Sequence, residues 1–172
     1  STNTSTTNHG GMVYIEIAAF SFAMNSGPWN LTLTKFTVSN GTGGGGNGTG
    51  GGGSSATNCT GSGTVAPDIL EPNDATTTAT QVSVLPLTCT GLSIHSSSDV
   101  DYFQVDMITG VTYYVNVTLN NANGDLDTGW DTASGLFLDS SGTTGSLESM
   151  QVTATANQTT YVDVFGWLGA TN

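Results

Sequence analysis

Positive charge is almost absent from this 172-residue chain: Lys35 is its one Lys or Arg, against 13 acidic residues and a net charge of −12. That argues against a nucleic-acid partner, because binding phosphate requires cations that displace its counterions. It argues equally against an anionic membrane surface. Charge of either sign is scarce, at 8% of residues, where an ordinary soluble domain carries roughly 25%. The surface must then be covered by Ser, Thr, Asn and Gly, which fits an extracellular or cell-surface protein, particularly one that carries sugars. No apolar run approaches the ~18 residues that span a bilayer. Helical periodicity is missing too, so the fold class expected is all-β.

Catalytic residue types are as thin. The two histidines are His9, in a polar lead-in, and His95, in the Ser-rich turn SIHSSSD. Ser96–Ser98 and Asp99 beside His95 imitate a triad in composition, but neighbours in one turn offer neither a nucleophile elbow nor an oxyanion site. Asp125, Asp127 and Asp131 read as solvated turn residues rather than paired catalytic carboxylates. The GGGG runs lack the Lys and the strand-to-helix setting of a phosphate loop. No enzyme is expected.

Two cysteines, Cys59 and Cys89, suffice for one disulfide in an exported protein, closing a loop worth ~3–4 kcal/mol in the chain-entropy picture. Asn-X-Ser/Thr sequons stand at Asn3, Asn30, Asn40, Asn47, Asn58, Asn116 and Asn157, candidate glycosylation sites of a secreted chain. The sequence opens at Ser1 without a leader, which reads as a signal peptide already removed or as a fragment.

Three stretches follow one another. Residues 1–39 hold two strand-like runs. In the first, 12–24, Val13, Ile15 and Ile17 share one face while Phe20 and Phe22 lie on the other; a strand apolar on both faces belongs between sheets. The second, 29–39, alternates large apolar residues with Thr. Residues 40–64 are a glycine-rich connector. Residues 65–172 read as a compact β-sandwich, with strands expected at 81–88, 91–95, 100–107, 112–119, 134–139, 148–156 and 159–166, spaced by Gly and Asn/Asp clusters.

Four motifs in this last stretch, EPND (71–74), DVDYFQVDMITGVTYYVNVTL (99–119), GDLDTGWD (124–131) and QTTYVDVFGWLGATN (158–172), resemble the bacterial pre-peptidase C-terminal domain over about residues 68–172. The resemblance implies a jelly-roll-like sandwich and a non-catalytic adhesion, secretion or substrate-contact module, with glycans or host and cell surfaces as partners. Some members hold calcium near EPND. Carried over by position, Glu71, Asn73, Asp74 and Asp101 match that ligand pattern, with Asp99 beside them, so Ca²⁺ is the one cofactor implied. Ile69 and Ser98 stand where those members carry further acidic groups, and EPND also suits a turn capped by its own Asn and Asp.

Members of that family continue beyond the position of Asn172 with one more strand. This chain is therefore expected to present an open groove, and a groove of unpaired N–H and C=O groups is a template for another strand. Three solutions stand. A neighbouring copy donates a strand, Met12–Met24 or alternatively Leu31–Val38, so that head-to-tail strand exchange builds a homopolymeric, pilus-like filament. Residues 29–39 close their own sandwich in cis, with the glycine tract as return loop. Or the sequence is truncated. A surface-layer component shares the same composition. Lys35, alone among strands, reads as a strand-edge gatekeeper or as one half of an isopeptide bond.

Overall fold

The computed structural model describes residues 28–36, 55–56, 59–61 and 66–172. The strands are β1 (Trp29–Phe36), β2 (Ser55–Ala56), β3 (Cys59–Thr60), β4 (Thr80–Val82), β5 (Leu87–Leu92), β6 (Val100–Met107), β7 (Thr112–Thr118), β8 (Leu126–Thr132), β9 (Phe137–Ser141), β10 (Leu147–Thr153) and β11 (Gln158–Gly166). Alternation decides the packing: Phe103, Val105 and Met107 of β6 and Tyr113, Val115 and Val117 of β7 turn inward and are buried, with polar residues between them facing out. Two mixed sheets result, in the orders β10-β7-β1-β5-β3 and β2-β4-β6-β11-β8-β9. They pack as a β-sandwich, and the all-β expectation holds.

The core is one cluster shared by both sheets. Trp29 of β1 meets Phe103 of β6 edge to face, with ring centroids 6.4 Å apart and planes at 86°, a favoured aromatic geometry. Trp130 of β8 is fully buried and donates from Nε1 to Thr160 Oγ1 at 2.9 Å. Cys59 and Cys89 form the disulfide and clip β3 alongside β5.

Three expectations need correcting. The run 81–88 is not one strand: β4 ends at Val82, the chain crosses through Pro86, and β5 begins at Leu87 in the other sheet. A proline cannot donate within a sheet interior, which makes it the natural crossing point. Asp127 and Asp131 are not turn residues. They lie on β8, whose other face buries Leu126, Thr128, Trp130 and Thr132; acidic residues and Gly129, poor strand formers, hid this alternation. Last, the expected groove is not open, because β1 of the same chain fills it. The preferred donor, Met12–Met24, lies outside the described residues.

Candidate functional site

Strand β1 lies in the middle of the five-stranded sheet, antiparallel to β5 on one side and β7 on the other. Leu31 faces Cys89 and Val117, and Leu33 faces Leu87 and Val115. Trp29, Leu31 and Leu33 are fully buried. Three large apolar residues at every second position are what a slot between sheets selects. Lys35 stands exposed near the end of this central strand, opposite Tyr113.

The slot has a second occupant. Beyond β5, Ile94 donates to the Asn172 carbonyl at 2.8 Å and accepts from the Asn172 N–H at 3.2 Å. The Asn172 side chain donates to the carbonyls of Gly124 at 2.6 Å and Asn120 at 3.4 Å, just past β7. Along β5 the facing residues therefore run Thr32, Leu31, Trp29 and then Asn172. The segment ending at Asn172 and the segment starting at Trp29 occupy one line, between the same two neighbours. Gly124 permits this closeness: a Cβ there would stand 2.7 Å from the Thr171 carbonyl oxygen.

At the same end of the sandwich sits an acidic cluster. Glu71 Oε1 lies 3.0 Å and Asp99 Oδ2 2.5 Å from His95 Nδ1. The ligand-type atoms of these three residues fall within 4.8 Å of one another, and among the described residues no other three His, Cys, Asp or Glu side chains converge so. Asn73 and Asp101 are fully buried, and neither side chain makes a hydrogen bond. Burial pushes the Asp101 carboxyl well above its ordinary range, and Asp68, Asp99 and Glu71 push it further; the Asn73 amide beside it opposes this weakly, without reaching hydrogen-bonding geometry. Asp99 is raised to about 6, chiefly by burial, against the His95 N–H that it accepts at 2.6 Å.

Of the five expected ligands, Glu71, Asn73, Asp99 and Asp101 are gathered here in the buried part, and Asp74, exposed, lies beside Asp99 and helps to raise its carboxyl. His95 and Asp68 were missed as members. Asp68 does not hang free: its two oxygens accept from the Leu70 N–H at 2.8 Å and the Ser93 N–H at 3.0 Å. The i, i+4 spacing of His95 and Asp99 is the available signal, weighed in sequence only as part of a triad and set aside. The Ser96 and Ser98 hydroxyls bond each other at 3.2 Å.

The donor chemistry fits a divalent cation. Buried carboxylate oxygens of like charge are costly unless a cation or a proton joins them. Asp101 Oδ1 and Oδ2, Asp99 Oδ1 and Asn73 Oδ1 are buried and unpartnered, and hard oxygens of this kind are what Ca²⁺ takes. Glu71, Asn73, Asp99 and Asp101 would hold the ion.

The sequons fall in three settings. Asn3, Asn40, Asn47 and Asn58 lie outside the described residues. Asn30 is engaged on both atoms, accepting from the Gly91 N–H at 3.0 Å and donating to Thr118 Oγ1 at 3.4 Å. Asn116 accepts from Ser149 Oγ on the outer face, and Asn157, in an exposed turn, accepts from Thr109. A glycan at Asn30 would attach to the Nδ2 that donates to Thr118 Oγ1, on β1 itself. No family model matches the chain, and no curated protein or solved structure is similar to it.

Proposed function

We propose that the chain is the structural subunit of an extracellular, pilus-like filament in which each copy lends β1 to the slot of the next. The observation that carries this reading is the position of β1. It is central in its sheet and paired on both sides from Trp29 to Leu33, yet its link to the rest of the sandwich runs through residues 37–54, rich in glycine. The same strand-in-slot contact is therefore available within one chain or between two, and a head-to-tail exchange need not close. In this reading the donor is Trp29–Phe36.

The opposite edge of the same sheet is closed to addition. On β10, the Gln151 N–H is taken by Asp139 Oδ2 at 2.9 Å and the Ser149 N–H by Ser141 Oγ at 3.2 Å. Covering an edge with side chains blunts strand-on-strand pairing. The slot is then the favoured route of assembly. The scarcity of ions, the disulfide and the hydroxyl-rich surface suit life outside the cell, and Ca²⁺ at the acidic cluster has a structural rather than a catalytic role.

The test uses the full chain and one deletion. A chain lacking residues 1–36 is expected to be unfolded or partly folded alone and to capture a peptide of residues 28–38. The full chain at high concentration, after mild denaturation and return, is expected to form fibres visible by electron microscopy. Full chains that stay monomeric and never take up the excess peptide would overturn the proposal.

A second reading rests on the six-stranded sheet. Its outer face sets half-buried Tyr102, Tyr161 and Phe165 among Gln104, Asp131 and Asp163. Aromatic faces beside carboxylates suit a sugar or a matrix protein, as an adhesion module requires. A monomer that binds polysaccharide through this face, and loses binding on Tyr161→Ala, would favour it.

A further inference from the structure

We infer that cation binding at the acidic cluster sets how firmly the slot holds its strand. This rests on β1 being the exchangeable strand and on the cluster taking a divalent ion.

The link is the three-residue extension of β5, Ser93–His95. Successive backbone amides of an extended chain point to opposite sides, and here both sides are used. Ile94 pairs with Asn172, in line with β1. Ser93 and His95, on the other side, donate to Asp68 Oδ2 at 3.0 Å and Asp99 Oδ2 at 2.6 Å. Asn172 in turn bridges to Gly124 and Asn120 beyond β7. The mouth of the slot is thus one strip, with carboxylates on its far side and Asn172 on its near side. Trp29 follows directly, opposite Leu92.

Asp68, Glu71, Asp99 and Asp101 repel one another across this strip, and in Asp101 both oxygens, fully buried, have no donor at all. A divalent ion turns that repulsion into attraction and fixes Asp99, which holds the His95 N–H. The ion then favours the conformation in which Ile94 is presented to Asn172 and Leu92 to Trp29. Coupling of this kind is reciprocal: a seated strand also raises ion affinity. Assembly would be firmest where divalent ions are plentiful.

The experiment is amide hydrogen exchange on the full chain, first stripped with chelator and then titrated with CaCl₂. At free Ca²⁺ one hundred times its dissociation constant, amides whose opening breaks the site are expected to exchange about a hundredfold more slowly. These are Ile94, His95 and Asn172, together with Leu31 and Leu33 in the slot. Amides of the β8–β9 pair are expected to change little. Asp101→Asn removes a ligand and its buried negative charge without breaking any hydrogen bond of Ser93–His95, and is expected to abolish the Ca²⁺ response. Calorimetric Ca²⁺ binding with unchanged slot protection would overturn the inference, and so would a stripped chain that binds no Ca²⁺. Ca²⁺-dependent protection in a chain that never forms fibres would support the inference and remove the filament reading instead.

Discussion

The two sheets solve the same packing problem with opposite resources. In the six-stranded sheet the long strands β6, β11, β8 and β9 all come from residues 100–166, so the chain supplies its own neighbours. In the five-stranded sheet the central strand comes from residues 29–36, across a glycine-rich tract. Their outer faces differ as well. The five-stranded face carries hydroxyls and amides: Thr32, Thr34, Tyr114, Asn116, Ser149 and Gln151, linked by bonds such as Thr112 to Thr153 at 2.8 Å. The six-stranded face carries Asp106, Asp127, Asp131 and Asp163. A face of like charges keeps copies apart, whereas a neutral face with a strand-shaped slot lets them approach. The sheet built from a distant segment is the one suited to exchange.

The largest expected effect tests that difference at two tryptophans. Both are fully buried, but Trp130 Nε1 has its partner in Thr160, and Trp29 Nε1 has none. Trp29→Ala empties the contact with Phe103 and is expected to cost ~3–5 kcal/mol. Trp29→Phe keeps much of the packing and abandons no bonded donor. Trp130→Phe breaks a buried bond and leaves the Thr160 hydroxyl with only its bond to the Val105 carbonyl, at ~1–3 kcal/mol. Urea unfolding of the four proteins measures this; Trp29→Phe proving costlier than Trp130→Phe would reverse the comparison.

Second in size is the disulfide, which pins β3 to β5 beside the slot across a sequence separation of 30. Its removal by Cys59→Ser with Cys89→Ser is expected to cost ~3–4 kcal/mol through the freed unfolded chain. It should also loosen the five-stranded sheet more than the six-stranded one. Exchange rates of Leu87 and Cys89-flanking amides, compared with those of β11, report the difference.

What was legible in the sequence follows the same division. Strands β6, β7 and β11 carry apolar residues at successive inward positions, Phe103, Val105 and Met107, Tyr113, Val115 and Val117, and Val162 and Val164, and their positions could be read directly. Strand β8 could not, since Asp127, Gly129 and Asp131 occupy its outward positions and speak for a turn. The groove was inferred with several candidate occupants, 12–24 or 31–38 from a neighbour and 29–39 in cis, since both N-terminal runs carry apolar alternation; the pairing of β1 here is that of the cis candidate. At the acidic cluster, Glu71, Asn73, Asp99 and Asp101 came from the resemblance to the pre-peptidase C-terminal domain, carried over by position. His95 joins through its imidazole, against Glu71 and Asp99, and Asp68 through its bond from the Ser93 N–H, contacts that leave no mark on composition. Legibility ended where the contact depended on two distant segments meeting.

Third is Glu148, fully buried where β9 and β10 bridge the two sheets. Its carboxylate accepts from Ser141 Oγ at 2.6 Å, the Thr143 N–H at 2.9 Å and Thr143 Oγ1 at 2.7 Å. Charge-assisted bonds of this kind are the stronger ones. Because the donors belong to an exposed loop that water can reach, Glu148→Ala is expected to cost only ~1–3 kcal/mol. The same change should unmask the β10 edge and increase side-by-side association, measured by sedimentation at matched stability. A variant as monodisperse as the parent would show that Asp139 and Ser141 close the edge unaided.

The smallest expected effect separates the two outer faces by pH. Burial raises Asp163 from an ordinary 3.8 to about 6, with Asp131 adding to the push and the Asp163 and Gly129 backbone amides opposing it. Asp127 is raised to about 6 by burial, then by Asp125 and Glu148. A folded-state value above the unfolded one means the folded chain holds protons that the unfolded chain releases between about pH 4 and 6. Stability from the neutral carboxyls is thus fully present below pH 4 and lost as pH rises through 6. Asp163→Asn fixes the neutral form and still accepts from the backbone, so it should flatten part of the decline between pH 4.5 and 7.5 while scarcely changing the value at the acid end. Thr32→Val or Thr34→Val, on the uncharged face, should leave the slope as it is. Thermal unfolding in chelator, compared between variants, cancels the common contribution of Asp99 and Asp101. An Asp163→Asn slope identical to the parent's would mean that this carboxylate is as well solvated as those of an ordinary surface, and the electrostatic contrast between the faces would lose its strongest member.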